Sequence, residues 1–293
     1  MRGDLPSDAE ARVIRGRLGD RLARIERIGG GDINATFRAH VADEPGRSYF
    51  FKINTAAPAG FFEAETRGLE WLAAAGALRV PTVIAAQREP SPHLVLEWIE
   101  PGPRAADFDE RLGAGLAALH RAAAPSFGLD HDNFIGRLPQ DNRPLPTWAA
   151  FYRERRLMPL LALARELTLS DPALDRAADR LLARLDELVG PDEPPARLHG
   201  DLWGGNLHVD ERGLPVLIDP AAYAGHREMD LAMMRLFGGF GERVFAAYAA
   251  SSPLSQGHRE RVALYQLYPL LAHLCMFGRG YLAQVSRCVA QYV

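Results

Sequence analysis

Residues 198–206 of this 293-residue chain read LHGDLWGGN, and residues 217–219 read LID. Asp201 is therefore followed five residues later by Asn206, and Asp219 ends a second, strand-like apolar run. This order suits phosphoryl transfer from a Mg·ATP complex, in which one carboxylate accepts the proton of the attacking hydroxyl while an amide and another carboxylate bind the metal. The pattern requires a fold that brings these loops and strand ends together.

The spacing matches that of protein kinases, where H-R-D-x-x-x-x-N is followed by D-F-G. Here the corresponding segments are H-G-D-x-x-x-x-N and I-D-P. Asp201 is therefore the candidate catalytic base, and Asn206 and Asp219 are the candidates for binding Mg²⁺ through oxygen ligands. The alternative is a surface aspartate that caps a turn beside Gly204 and Gly205.

Lys52 is the only lysine of the chain and lies in the apolar run F-F-K-I-N. A lysine inside an apolar strand either extends its ammonium to solvent or meets an anion. In kinases such a lysine contacts the α- and β-phosphates of ATP and pairs with a glutamate on the next helix. Glu65 is the predicted partner and Glu63 is its rival, while an exposed edge-strand lysine is the alternative for Lys52 itself.

A run of three glycines at residues 29–31 precedes the Lys52 strand, and Asp32 follows it. We predict that Gly30, Gly31 and Asp32 belong to a loop that covers the phosphates with backbone N–H groups. The run matches neither G-x-G-x-x-G nor a Walker A motif, and a simple hairpin turn is the alternative.

Residues 101–103 read P-G-P and form the strongest linker candidate. The segments before them predict a small antiparallel sheet with one main helix, and those after them predict mostly helices. We therefore predict an α+β, two-lobed, protein-kinase-like fold with a nucleotide-binding lobe at 1–100 and a catalytic and substrate lobe at 101–293. Glu97 and Ile99, just before the linker, are expected to present hinge backbone groups to adenine.

The second lobe contains several predicted helices. One covers residues 148–169 and is expected to kink or break at Pro159. Another covers residues 171–189 and opens with Asp171 as its cap. The most apolar stretch, residues 264–277, is too short and too polar to span a bilayer and predicts a buried helix.

Charged residues at 226–230 come shortly after the second aspartate motif. Glu228 and Asp230 could simply lie in the first turn of a helix, where negative charge is favourable. Alternatively, Asp230 supports the catalytic loop, and His226 or Glu228 lines the acceptor pocket. His199 and His208 are expected to be structural, because no His/Cys spacing suggests zinc.

The overall charge favours neither nucleic acid nor membrane as a partner. The chain carries 34 basic and 37 acidic side chains, for a formal net charge of −3, which gives no broad electrostatic attraction to either. Cys275 and Cys288 are too few for a disulfide framework, and no signal-peptide core follows Met1. We therefore expect a cytoplasmic protein.

Further segments agree with one known family. They read F-E-A-E at 62–65, D-N-F-I-G at 132–136, G-H-R-E at 225–228 and F-G-G-F at 237–240, with Trp148, Phe151 and the basic pair at 155–156. Together with the motifs at 198–206 and 218–221, they make the chain resemble the fructosamine kinases, also called ketosamine-3-kinases, over nearly its whole length. Trp203, Pro220 and the G-H-R-E block favour this family over aminoglycoside and choline kinases.

The resemblance implies ATP and Mg²⁺ as cofactors and transfer of the γ-phosphate to the 3-hydroxyl of a ketosamine, such as a fructosamine or ribulosamine. In that family the phosphorylated sugar falls apart and frees its amine, which implies deglycation of amines or proteins. Asp132, Asn133, Trp203 and His226 are the acceptor-pocket candidates. Asp32 stands where some relatives have a cysteine implicated in redox-sensitive dimers, so we do not expect that switch. We expect a monomer or weak dimer.

Two other functions fit the same motifs. A kinase for an aminoglycoside or amino alcohol would need a strongly acidic pocket, and the basic residues at 155–156 and 226–227 argue against one. A nucleotide-binding pseudokinase that serves as an interaction module would usually lack one of the lysine, base and metal-ligand positions. All of them are present here.

Overall fold

The structure of the protein is a computed structural model that describes residues 5–29, 33–44, 46–88 and 90–293. The chain begins with an antiparallel sheet. Its strands are β1 (Leu22–Ile28), β2 (Ala35–Val41), β3 (Ser48–Ile53), β4 (Val83–Gln87) and β5 (His93–Glu97). They form one five-stranded sheet in the order β1-β2-β3-β5-β4.

Helices cover both faces of this sheet. Helix α1 (Asp8–Leu18) packs against one face and helix α2 (Phe61–Ala73) against the other. Successive residues of a strand point to opposite faces. Phe51 and Ile53 therefore lie on the α1 face, and Lys52 lies on the α2 face, where it bonds to that helix.

The remainder of the chain is mostly helical. Its helices are α3 (Phe108–Arg121), α4 (Trp148–Phe151), α5 (Met158–Glu166), α6 (Pro172–Ala183), α7 (Leu185–Leu188), α8 (Glu228–Phe237), α9 (Glu242–Ser251), α10 (Val262–Phe277) and α11 (Leu282–Ala290). Three antiparallel strand pairs lie among them: β6 (Asn133–Ile135) with β7 (Leu138–Gln140), β8 (Ala196–Leu198) with β11 (Tyr223–Gly225), and β9 (Leu207–Val209) with β10 (Pro215–Leu217). The predicted α+β division into a sheet lobe and a helical lobe is confirmed, and the boundary near residue 100 stays a prediction.

Helix α10 lies at the centre of the largest hydrophobic core, where it packs with α5, α8 and α11. A helix that is apolar on nearly every side must be buried on nearly every side, as its sequence predicts. Cys275 on this helix and Cys288 on α11 are buried and unpaired. Within the described ranges, no helix is both long enough and apolar enough to cross a membrane.

The helix predicted over 148–169 is irregular before Pro159 and not at it. Between α4 and α5, Tyr152–Leu157 form a π-helical turn. Proline has no N–H to donate to the carbonyl four residues earlier, which is that of Arg155. The guanidinium of Arg156 donates to this carbonyl instead, at 3.1 Å.

The helix predicted over 171–189 is divided at Arg184 into α6 and α7. Its start agrees with the sequence. Asp171 Oδ1 accepts hydrogen bonds from the N–H groups of Ala173 and Leu174 at 2.9 and 2.8 Å, which satisfies donors that have no partner inside the helix.

Candidate active site

A cleft of about 650 Å³ lies between the sheet lobe and the helical lobe. Strands β2 and β3 and helix α2 form one side, while β6, α8, α10 and the loop after β8 form the other. The Lys, Arg, Asp and Glu side chains along it, among the described residues, are Lys52, Glu65, Asp201 and Asp219. Residues that are far apart in the sequence thus place their charges in one concave site, as enzymes commonly do.

Asp201 lies on the loop of residues 199–206, directly after β8. Gly200 in this loop has a φ of +82°, and a Cβ there would come within 2.1 Å of the carbonyl oxygen of Ala221. Only glycine lets the backbone pass this close in that conformation. The Asp201 carboxylate faces the cleft and accepts a hydrogen bond from Asn206 Nδ2 at 3.1 Å.

Asp230, in the first turn of α8, supports the 199–206 loop from inside the protein. Its two carboxylate oxygens accept the backbone N–H groups of His199 and Gly200 at 2.8 and 2.9 Å. His120 Nε2 donates to the same carboxylate at 3.2 Å, which leaves Nδ1 to accept the hydroxyl of Tyr248 at 2.8 Å. Asp230 therefore has both of the roles that the sequence allows, since it lies in the first turn of α8 and also supports the loop. Glu228 pairs with Arg261 and does not line the cleft.

Asp219 follows β10 with a left-handed backbone, at a φ of +55°. Aspartate reaches this region more easily than most residues, but at some energetic cost, and such conformations concentrate at functional sites. The turn brings the Asp219 carboxylate into the cleft, where Oδ1 lies 2.5 Å from Lys52 Nζ.

Lys52 Nζ also donates to Glu65 Oε1, at 2.6 Å, whereas Glu63 pairs with Arg88. The sequence left Glu63 and Glu65 as alternatives, and the structure pairs the lysine with Glu65. Burial alone would lower the pKa of Lys52, but the carboxylates of Asp219 and Glu65 outweigh it and raise that pKa above its ordinary value. Lys52 is therefore a fixed positive charge between the lobes.

Burial and the nearby charge of Asp219 raise the pKa of Asp201 to about 7, against a smaller opposing effect of the Asn206 hydrogen bond. A carboxylate that binds a proton near neutral pH is well matched to general base catalysis. The same crowding of negative charge favours a cation in the cleft.

Asn206 and Asp219 have the right chemistry for Mg²⁺. The Nδ2 group of Asn206 donates to the carbonyl oxygen of Asp201 at 2.8 Å, so its Oδ1 is the atom left for a metal. In the parts of the chain that are described, no group of three or more His, Cys, Asp or Glu side chains is placed to hold a metal ion. A site with few protein ligands suits Mg²⁺, which takes the rest from phosphates and water.

The predicted phosphate loop is described only in part. Gly30, Gly31 and Asp32 lie outside the described residues. Asn34, which follows, lines the cleft, and its Oδ1 accepts a hydrogen bond from Asn54 Nδ2 at 3.2 Å. The placement of Gly30, Gly31 and Asp32 over the phosphates stays a prediction.

Glu97 and Ile99 lie where the chain passes from β5 to the helical lobe, outside the residues that line the cleft. The Glu97 carboxylate accepts the backbone N–H of Thr82 at 3.0 Å. The carbonyl oxygen of Ile99 lies 3.1 Å from His208 Nε2, which joins this segment to β9. His208 is thus structural here, as expected, and the contact of Glu97 and Ile99 with adenine stays a prediction.

The structure brings two of the four acceptor candidates to the cleft. Asn133 and Trp203 line it. Asp132 does not, because its carboxylate accepts the backbone N–H of Asn142 at 2.8 Å and closes a turn. His226 does not either, since its ring is 1% exposed and stacks on Tyr265 at 5.3 Å between centroids.

Sequence patterns do not single out the aromatic wall of the cleft. It consists of Phe237 at the end of α8, His273 and Phe277 on α10, and Tyr281 just after it. The His273 ring lies 4.7 to 5.3 Å from the centroids of the other three. Two sequence signals fall on this wall: Phe237 begins the F-G-G-F motif at 237–240, and His273 interrupts an otherwise apolar helix.

His226 should make the protein sensitive to acid. Burial lowers the pKa of His226 from 6.5 to about 4, so below pH 6.5 the unfolded chain binds a proton that the folded protein does not. This difference removes about 3 kcal/mol of the unfolding free energy between pH 6.5 and 4. Urea unfolding across that range should show the loss, and His226→Phe should reduce the slope.

A matched His258→Asn variant controls for the loss of any histidine, because His258 lies on a partly exposed turn. An equal slope in His226→Phe and wild type would contradict this account of acid sensitivity.

Known proteins with related sequences cover nearly all of this chain. The family profile described as "Fructosamine kinase" matches residues 7–293. A protein named "Probable ketoamine kinase" from Enterococcus faecium is 41% identical over 266 residues, which cover 90% of this chain and 93% of that protein. The chloroplastic "Protein-ribulosamine 3-kinase" of Arabidopsis thaliana is 35% identical over 277 residues, which cover 93% and 83% of the two chains.

A solved structure described as "putative fructosamine-3-kinase" from Thermobifida fusca superimposes with a TM-score of 0.87 at 39% sequence identity. The match covers 98% of this chain and 99% of that one. The kinase-like fold predicted from the motifs is thereby confirmed, and so is the family resemblance. This chain belongs to the fructosamine kinase family of phosphotransferases.

Proposed function

We propose that this kinase transfers the γ-phosphoryl group of ATP to the 3-hydroxyl of a ketosamine. The observation that carries the proposal is the meeting of Asp201, Asp219 and Lys52 in one cleft. It is supported by relatives whose names are ketoamine kinase and protein-ribulosamine 3-kinase.

In this proposal Asp201 accepts the proton of the sugar hydroxyl as the hydroxyl oxygen attacks the γ-phosphorus. The bond from that phosphorus to the bridging oxygen breaks, ADP leaves with the electron pair, and the proton remains on Asp201. The hydrogen bond from Asn206 Nδ2 fixes the orientation of the carboxylate, and Asp230 fixes the backbone that carries it.

Asn206 and Asp219 are the proposed ligands of Mg²⁺, which neutralises developing charge on the phosphate oxygens when bound. Lys52 directs its ammonium to the α- and β-phosphates, since Glu65 holds it on the α2 side of the sheet. The glycine loop with Gly30, Gly31 and Asp32 covers the phosphates in this proposal. The backbone of Glu97 and Ile99 receives adenine.

The lining of the cleft favours a ketosamine over a polycationic acceptor. The acceptor side is formed by Asn133, Trp203 and the aromatic wall of Phe237, His273, Phe277 and Tyr281. Among the described residues that line the cleft, the acidic side chains are those already assigned to the base, the metal and Lys52. An aminoglycoside carries several positive charges and would need further carboxylates to replace its hydration.

The consequence in the cell would be deglycation, because a ketosamine phosphorylated at O3 falls apart and releases its amine. We propose that the protein does this in the cytoplasm, on free or protein-bound ketosamines, as a monomer or weak dimer. Neither nucleic acid nor membrane is needed as a partner.

The test is ADP production by purified protein with ATP and Mg²⁺ against a ribulosamine, a fructosamine, an aminoglycoside and choline, with Asp201→Asn as the blank. We expect turnover on the ketosamines alone, and loss of turnover when EDTA removes the metal. Phosphorus NMR of the product should place the new phosphate on O3 of the sugar.

Turnover on the aminoglycoside or choline alone would keep the kinase chemistry and overturn the ketosamine assignment. ATP binding without turnover on any acceptor would contradict the proposal and favour a pseudokinase. Turnover that persists in EDTA would contradict the metal roles of Asn206 and Asp219.

A further inference from the structure

Arg156 is a charged side chain in the middle of the hydrophobic core. It is 0% exposed, and in the described parts of the chain it makes no ion pair with a carboxylate. Its guanidinium instead lies over the rings of Tyr223, Phe151 and Tyr268, at 4.0, 4.6 and 5.5 Å from their centroids. Burying a charge without a counter-ion is costly, so its presence calls for a specific use.

The guanidinium is one end of a series of hydrogen bonds between buried side chains. One terminal nitrogen donates to the carbonyl oxygen of Asp141 at 2.7 Å, and the other donates to Asn142 Oδ1 at 2.6 Å. Asn142 Nδ2 then donates to Asn133 Oδ1 at 2.8 Å. A planar group with several donors can make these bonds while it stacks on an aromatic ring, which a lysine cannot do.

Gln140 and Tyr268 join this series of hydrogen bonds at Asn133. Gln140 Nε2 donates to the same Asn133 Oδ1 at 2.6 Å, and the Tyr268 hydroxyl donates to Gln140 Oε1 at 2.5 Å. Asn133 Nδ2 in turn donates to the carbonyl oxygen of Ala222 at 2.7 Å. Gln140 Nε2 also donates to the carbonyl oxygen of Ala221, at 3.3 Å. These side chains form one buried network of amide, phenol and guanidinium groups.

The network ends at two parts of the active site. Ala221 and Ala222 come two and three residues after Asp219 in the sequence. Asn133 opens β6, and the segment from Asn133 to Gly136 lines the acceptor side of the cleft. The same buried side chains therefore fix the acceptor wall relative to the backbone that carries Asp219.

We propose that Arg156 is a positioning residue for phosphoryl transfer, which holds the acceptor wall at β6 and the Asp219 segment in one fixed arrangement through this network. Arg156 does not touch the reacting atoms, and its effect on the acceptor rests on the proposed ketosamine kinase activity. Its position in the π-helical turn Tyr152–Leu157 agrees with this role, because such turns are frequently found at functional sites.

Arg156→Met tests the proposal, with Arg155→Met as the matched control. Arg155 is the neighbour in the same turn, and it bonds to the carbonyl oxygen of Arg143 near the surface. We expect Arg156→Met to raise the KM for the acceptor and lower kcat by about ten- to hundredfold each, because small displacements of reacting groups are costly. The KM for Mg·ATP should rise in Arg156→Met only as far as Mg²⁺-dependent nucleotide affinity is lost, and should stay within about twofold in Arg155→Met.

Two further variants separate positioning from general destabilisation. Arg156→Lys keeps the positive charge but lacks the planar guanidinium, so its KM for the acceptor should not return to the wild-type value. Tyr268→Phe keeps the ring and removes only the hydrogen bond to Gln140 Oε1, and should raise the acceptor KM about threefold or more without a change in the ATP KM. Urea unfolding of each variant shows whether it is folded under the assay conditions.

A second readout does not depend on turnover. Calorimetric titration with ADP, with and without Mg²⁺, reports whether Asp219 is correctly placed. We expect Arg156→Met to bind ADP alone as wild type does and to lose the extra affinity that Mg²⁺ gives, whereas Arg155→Met keeps it. If wild type phosphorylates no ketosamine, the proposed function fails, and this titration still decides the role of Arg156.

The proposal is overturned if folded Arg156→Met has the same kinetic constants and the same Mg²⁺-dependent ADP affinity as Arg155→Met. Should Arg156→Met not fold, an unchanged acceptor KM in Tyr268→Phe would overturn it equally. Weaker binding of ADP without Mg²⁺ by folded Arg156→Met would also do so, since that pattern means general loosening of the fold.

Discussion

Asp201→Asn should lower kcat by about 10²–10⁴-fold, the usual loss when a general base is removed. The affinity for ATP should stay near that of wild type, because the asparagine keeps the shape of the side chain and an oxygen for the hydrogen bond from Asn206. What it loses is the ability to take the proton of the attacking hydroxyl. Steady-state kinetics with a ribulosamine, together with ATP titration of the variant, measures both quantities.

Asp132→Asn is the control for this experiment, since Asp132 adjoins the acceptor wall but directs its carboxylate to the backbone of Asn142. It should keep kcat within about threefold of wild type, because that carboxylate takes no part in the reaction. Joint loss of ATP binding and turnover in Asp201→Asn would instead indicate that Asp201 maintains the structure of the cleft.

Lys52→Met should reduce kcat/KM for ATP by about 10²–10³-fold, which is the typical effect of removing one preorganised charge at a reacting group. It should also destabilise the protein. Breaking a buried ion pair costs about 3–5 kcal/mol, and the loss here should be smaller because the side chain of Asp219 is 44% exposed. Glu65, with a side chain 10% exposed, would be left without its partner.

The double variant Lys52→Met/Glu65→Gln separates these two effects. Removal of the stranded carboxylate should restore most of the unfolding free energy measured in urea, because a neutral amide is far less costly to bury than a charge. Activity should stay at the level of Lys52→Met. Recovery of turnover in the double variant would contradict a direct role of Lys52 at the phosphates.

The residues best predicted from the sequence are those whose relation is local. Asp201 and Asn206 lie on one short loop, and their spacing alone brings their side chains into contact. Lys52 and Glu65 follow from a strand and the helix after it, because alternation along β3 sets the face of the lysine. The choice between Glu63 and Glu65 needed the structure, because both lie near the start of α2 and only its rotation decides which one faces the sheet.

Sequence reasoning fails for His226 and Arg156 because their burial depends on distant parts of the chain. His226 has the composition of a pocket residue, but Tyr265, 39 residues later, covers its ring. From the sequence, Arg156 is taken as a basic residue near the acceptor pocket, but it does not line the cleft, and rings from α4, β11 and α10 make it a core residue. Such assemblies leave no periodic pattern in one segment, so sequence spacing cannot reveal them.

The burial of Lys52 has a chemical consequence for the enzyme itself. Ketosamines form when reducing sugars condense with free, unprotonated amines, and lysine side chains are the main such amines in proteins. This chain has one lysine, which is 2% exposed and held as an ammonium by two carboxylates. A protein that is proposed to remove sugar adducts from amines thus offers sugars no accessible lysine of its own, and could work amid the reactive sugars that create its substrates without acquiring their lysine adducts.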